Sequence, residues 1–120
     1  MNFLKDQAGS RLIRTLFWAA ALFALVMALL PHPPQIPGNP SDKVQHVAAF
    51  ATLGLLGFYA YPRLSAVRLV ASLSLFGALI EIAQAIPVLH RDSDPMDWLT
   101  DTIASLVIVA SLRWWEARKR

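Results

Sequence analysis

The chain has 120 residues, 56% of them hydrophobic and only 16% charged, with a mean hydropathy of +0.46, a formal charge of +3 and no cysteine. A soluble domain carries about a quarter of charged residues, so this balance excludes an ordinary soluble fold, and the lack of cysteine excludes disulfide and thiolate chemistry. The sequence pI of about 9.8 does not point to nucleic acid, because Lys and Arg sit at the ends of apolar runs and not along a stripe.

Four apolar runs, Leu16 to Leu30, Val44 to Tyr61, Leu69 to Ile86 and Leu99 to Leu112, are close to the length that crosses a hydrocarbon core of roughly 30 Å. They predict an all-α polytopic membrane protein, a single membrane domain with four transmembrane helices at about residues 12–30, 44–61, 67–88 and 95–115. The first helix, after a short polar and mobile N-terminus, reads as an anchor. A basic segment before an apolar run also opens a secretory signal, but Ala19, Ala20 and Ala21 lie inside this run, and its end, Leu29-Leu30-Pro31, has no small-x-small pattern, so cleavage is not expected. Pro31, Pro33, Pro34, Pro37 and Pro40 then forbid helix, since each removes an N–H donor and clashes with the preceding turn. Ser41 or Asp42 is placed to cap the second helix.

On the second helix His46, Phe50, Leu53, Gly57 and Tyr61 share one face by three-and-four spacing, with Gly54 beside it to allow close helix approach. That face turns His46 toward neighbouring helices. The third helix carries Ser74, Gly77, Glu81 and Gln84 as a polar seam, and a carboxylate in an apolar helix needs a partner or a role. Lys43, His46 and Arg91 are the expected partners of Glu81. Before the fourth helix, Asp94-Pro95 makes a start signal, a capping carboxylate with proline at the first helical position. Asp97 suits the positive end of that helix dipole, and Asp97, Asp101, Ala104, Ile108 and Ser111 are expected on one face.

Orientation follows from the basic residues, which are retained on the cytoplasmic side. Lys5, Arg11 and Arg14 precede the first run, Arg63 and Arg68 lie between the second and third, and Arg113, Arg118, Lys119 and Arg120 follow the fourth, whereas Lys43 and Arg91 lie opposite. Both termini are therefore expected in the cytoplasm, with Trp98 at the outer interface and Trp114 and Trp115 at the inner one.

Asp42, Lys43, His46, Glu81, Gln84, Arg91, Asp97 and Asp101 thus come to one membrane depth from separate segments, and they form the candidate ligand-binding cluster. Helix capping by itself also explains Asp94 and Asp97, and interfacial anchoring explains Lys43. No metal site and no cofactor are expected. His46, Glu81, Asp97 and Asp101 do supply the ligand types used for Zn²⁺ or Mn²⁺, but no paired-histidine helix motif accompanies them. Ser93 is the only serine near the cluster and no motif marks it as a nucleophile.

Asp42-Lys43 with His46 three residues on, Glu81 with Gln84, and Arg91 followed by Ser93, Asp97 and a polar residue at Asp101 resemble the VanZ-like family of small bacterial membrane proteins. The resemblance runs from Asp42 to roughly Ala104. It implies a four-helix membrane protein of the cell envelope, linked through the family's name-giver to antibiotic resistance, at a low level, against the glycopeptide teicoplanin. Asp101 stands where the family usually has Asn, and Ala104 where it usually has Gly. The expected activity is binding of a lipid or lipid-linked cell-wall-precursor head group, with Lys43 and Arg91 on its anionic part. The alternative is a membrane-embedded enzyme on a lipid-linked substrate with Glu81 or His46 as acid, base or metal ligand. Expected partners are membrane lipids and no nucleic acid, with a homo-oligomer compatible with so few helices.

Overall fold

The computed structural model describes residues 3–31, 38, 41–91 and 93–119, with side chains described from Ser10 onward. The expectations that rest on Pro33, Pro34, Pro37, Pro40, Asp92, Arg120 and the Lys5 side chain lie outside the described residues. The described residues form four α-helices and one 3₁₀ turn: α1 (Phe3–Leu29), α2 (Asp42–Ala60), α3 (Ala66–Gln84), a 3₁₀ turn (Pro87–Leu89) and α4 (Pro95–Arg118). No strand occurs among the described residues.

Helix boundaries follow local chemistry. Ser41 caps α2 by accepting from the Val44 N–H at 3.2 Å, and Ser65 caps α3 by accepting from the Arg68 N–H at 3.1 Å. Asp94 caps α4 through the Met96 N–H at 3.0 Å, with Pro95 in the first turn, as the Asp-Pro pair indicates. Two boundaries differ from the sequence expectation. α1 is helical from Phe3 and not from about Leu12, because nothing between these positions is proline and the apolar run can propagate helix into its polar flank. α3 ends at Gln84 and not near residue 88: Pro87 forces Ile86 into an extended conformation, φ −70° and ψ 119°, as the residue before a proline is pushed out of the α region. His90 then takes a left-handed conformation, φ 51°, which reverses the chain toward α4.

The helices run alternately up and down. Arg14 on α1 donates to the Ala60 carbonyl at the end of α2, and Tyr59 on α2 donates to Glu116 near the end of α4. At the opposite end the starts of α2 and α4 meet the ends of α1 and α3. α2 packs on all three other helices, and the molecule measures 52 × 27 × 25 Å. Phe17, Phe50, Leu53, Ala60, Leu69, Leu73, Ile80 and Val109 form the core. Gly54 and Gly57 stand where a side chain would collide, Gly54 with Ile108 and Gly57 with Leu69 and Phe17, so the small residues do bring helices close. On α4 the buried line is Asp97, Asp101, Ser105 and Val109; Ser111, expected on it, is exposed, because four-residue steps carry the face to Ser105 and Val109.

Large apolar side chains cover the outside, among them Leu16, Trp18, Leu22 and Phe23 on α1 and Leu75, Leu79 and Ile82 on α3. Three segments, Ser10–Leu29, Ala66–Gln84 and Pro95–Arg118, are long and apolar enough to cross a membrane. This is the make-up of a membrane protein. α2, expected as a fourth span, matches α3 in length at 19 residues but is not among the helices apolar enough to cross: Asp42, Lys43, Gln45 and His46 occupy its first turns and leave an apolar stretch shorter than the roughly 20 residues a span needs.

Candidate functional site

The end of the bundle where α2 and α4 begin holds almost all the ionisable groups of the interior. Asp42, Lys43 and His46 enter from the first two turns of α2, with Asp42 and His46 one turn apart and so on the same side. Asp97 and Asp101 enter from the first two turns of α4 in the same relation, and Glu81 and Gln84 from the last turn of α3. Asp97, Asp101, Glu81 and Gln84 are all buried, Asp101 completely at 0% exposure.

Lys43 is the visible link between α2 and α4. Its Nζ donates to Asp94 Oδ2 at 3.0 Å and to Asp97 Oδ1 at 2.8 Å. Backbone donation from Met96, helped by the Lys43 ammonium, holds the Asp94 carboxyl below the usual carboxylate range. Beneath this pair, His46 Nδ1 lies 2.6 Å from Asp101 Oδ1. With Asp101 ionised its carboxylate only accepts, so Nδ1 is then the donor, and Nε2 turns to the other two carboxylates, 3.6 Å from Asp97 Oδ2 and 3.7 Å from Asp42 Oδ2. Each of Asp42, His46 and Asp97 offers one ligand atom within 4.8 Å of the others. Asp101 is backed by Gly77, whose missing side chain leaves room for Oδ2, and Ser105 donates to the Asp101 carbonyl at 2.8 Å.

Glu81 has partners other than those expected. Its Oε2 accepts from the Asp94 N–H at 2.9 Å, and Ser93 donates to the Glu81 carbonyl at 2.9 Å. It therefore ties the end of α3 to the start of α4 instead of pairing with Lys43, His46 or Arg91. Gln84 and Arg91 face α1: Gln84 donates to the Ala28 carbonyl at 3.0 Å, and Arg91 Nη1 donates to the Met27 and Leu30 carbonyls at 3.0 and 2.8 Å. Arg91 thus satisfies orphan carbonyls at a helix C-terminus, where a cation is favoured. Of the eight candidate residues, the structure gathers Asp42, Lys43, His46, Asp97 and Asp101 into one cluster, with Glu81 adjoining through Asp94, and sets Gln84 and Arg91 against α1.

Asp94, which helix capping explains and which the candidate cluster left out, is the shared partner of Lys43 and Glu81. Ser105, one turn after Asp101, was also missed; its four-residue spacing from Asp101 was the available signal. Trp98 does more than mark an interface, since its Nε1 donates to the Ser74 carbonyl and hydroxyl, both at 3.1 Å. Buried Glu81 Oε1, Gln84 Oε1 and Asp101 Oδ2 have no hydrogen-bond partner among the described residues, which leaves this end with more acceptors than donors.

No protein-family model matches the chain, and no curated protein and no solved structure matches it.

Proposed function

We propose that this chain is a VanZ-like integral membrane protein of the bacterial inner membrane that holds the head group of a lipid or lipid-linked cell-wall precursor at the Lys43–His46–Asp97 end of its bundle, and that it thereby alters glycopeptide susceptibility. In this reading α2 is a fourth span, sheltered by packing on three other helices, both termini are cytoplasmic, and the cluster opens to the cell exterior at headgroup depth. The observation that carries it is the gathering of Asp42, Lys43, His46, Asp97 and Asp101 from two helices at one end of an apolar bundle, because ionisable groups kept at membrane depth mark sites. Lys43, with a side chain 51% exposed, is the cation that reaches a phosphate; Arg91 holds the connecting segment against α1.

Full-length protein in nanodiscs binds anionic lipid head groups more tightly than zwitterionic ones under this reading. Lys43→Ala weakens that preference several-fold, and expression of the wild type shifts teicoplanin susceptibility where Lys43→Ala does not. Equal binding by wild type and Lys43→Ala sinks the reading.

One observation favours the enzymatic alternative. The 2.6 Å contact of His46 Nδ1 with Asp101 orients the ring as in a base-and-orienter pair, leaving Nε2 to take a proton from a bound substrate. Turnover of a lipid-linked substrate by wild type but not by His46→Gln would establish it, and no turnover across a panel of such lipids leaves binding alone.

A further inference from the structure

We propose that Asp42, His46 and Asp97 bind one divalent transition-metal ion of the Zn²⁺ or Mn²⁺ type, with Asp101 as the hydrogen-bond acceptor that presents His46 Nε2 to it. The proposal goes beyond head-group binding and stands on ligand geometry alone.

Three possible ligand atoms converge here from two helices, Asp42 Oδ2, His46 Nε2 and Asp97 Oδ2, all within 4.8 Å of one another. Lys43 takes the other Asp97 oxygen, Oδ1, at 2.8 Å, so Oδ2 is left toward the histidine. The separations of 3.6 and 3.7 Å are too long for hydrogen bonds. They match two ligands of a common ion instead: atoms about 2.1 Å from a metal at a tetrahedral angle lie about 3.4 Å apart. One imidazole and two carboxylates suit Zn²⁺ and Mn²⁺ better than Mg²⁺, which prefers oxygen and water.

The surroundings point the same way. A metal-bound histidine almost always gives its other ring N–H to a carboxylate or carbonyl, which fixes the tautomer and the ring plane. Asp101 does this from a fully buried position, beside Gly77, which leaves room for its carboxylate. Access is open, since the Asp42 side chain is 63% exposed, and three protein ligands leave a position for water or a ligand oxygen. The competing occupant is a second proton on His46.

The test uses full-length protein without a polyhistidine tag, stripped with EDTA, in detergent free of added lipid, and titrated calorimetrically with ZnCl₂, MnCl₂ and MgCl₂. Expected is one saturable site for Zn²⁺ or Mn²⁺, with Mg²⁺ weaker. Asp42→Asn, at an exposed position that the fold does not depend on, weakens it more than tenfold, and Asp101→Asn weakens it about 10- to 100-fold. His90→Ala leaves it unchanged. Nitrogen NMR then shows His46 Nε2 shifting on metal addition. Absence of saturable binding, undiminished binding by Asp42→Asn, or a His46 that keeps both ring protons at saturating metal and neutral pH overturns the proposal. Metal binding without any lipid preference sinks the head-group reading and not this one; lipid binding that survives EDTA in a protein without a metal site does the reverse.

Discussion

At the scale of single residues, the cluster depends on positions that contribute shape as much as charge. Gly77 is the clearest case, because a methyl group there would sit 2.9 Å from Asp101 Oδ2 and 3.3 Å from its Cβ. Alanine in place of glycine favours a helix by about 0.5–1 kcal/mol, whereas overpacking a filled interior costs about 1–3 kcal/mol, and Asp101 is fully buried and engaged by His46. Gly77→Ala is therefore expected to destabilise the protein on balance, by roughly 1–2 kcal/mol. Thermal unfolding in detergent checks it; an unchanged or raised Tm would show that Asp101 moves freely. Asp101 is also where residue identity and environment were hardest to connect in advance. Its spacing from Asp97 placed it on a face, but that its carboxylate meets His46 required α2 and α4 to lie side by side and parallel.

At the scale of elements, the start of α4 is fixed by Asp94, which caps the helix through Met96, receives Lys43 from α2 and gives its own N–H to Glu81 of α3. Its carboxyl, held low by the Met96 N–H and then by Lys43, binds protons less readily in the folded protein than in the unfolded chain. A group with a depressed folded value contributes stability that is present above its unfolded value near 3.8 and is lost as pH falls through the folded value. Asp94→Asn keeps a capping side chain but removes the charge, so its Tm should fall less steeply than that of the wild type on acidification below pH about 4. Parallel acid limbs for the two proteins would assign the acid sensitivity to other carboxylates. The Asp-Pro signal made this boundary legible beforehand, and Ser41 likewise; the early end of α3 was legible only in part, since Pro87 marks where helix must stop but not how far before it.

At the scale of the whole molecule, three helices have the length and apolar character of membrane spans, and α2 has not. The proposed topology puts α2 across the membrane as well, with Arg11, Arg14, Arg63, Arg68, Arg113 and Arg118 on the cytoplasmic side. Reporter fusions after Arg118 and within the Tyr61–Ser65 turn should both be cytoplasmic, and a fusion at Gly38 external; a C-terminal reporter on the external side would reverse the bundle and place the polar cluster in the cytoplasm. By itself the sequence determined that the protein is all-helical, that its second helix starts around Ser41 or Asp42 and its fourth at the Asp94-Pro95 pair, and which end of each helix carries charge. Those properties are local or compositional, set by capping chemistry, by proline and by the cost of burying charge in an apolar run. Only the tertiary structure decided the pairings: Lys43 with Asp94 and Asp97, His46 with Asp101, Glu81 with the start of α4, and Arg91 with the end of α1. Each joins residues from segments far apart in the sequence, and helical periodicity fixes the face a side chain shares but not the neighbour that face meets.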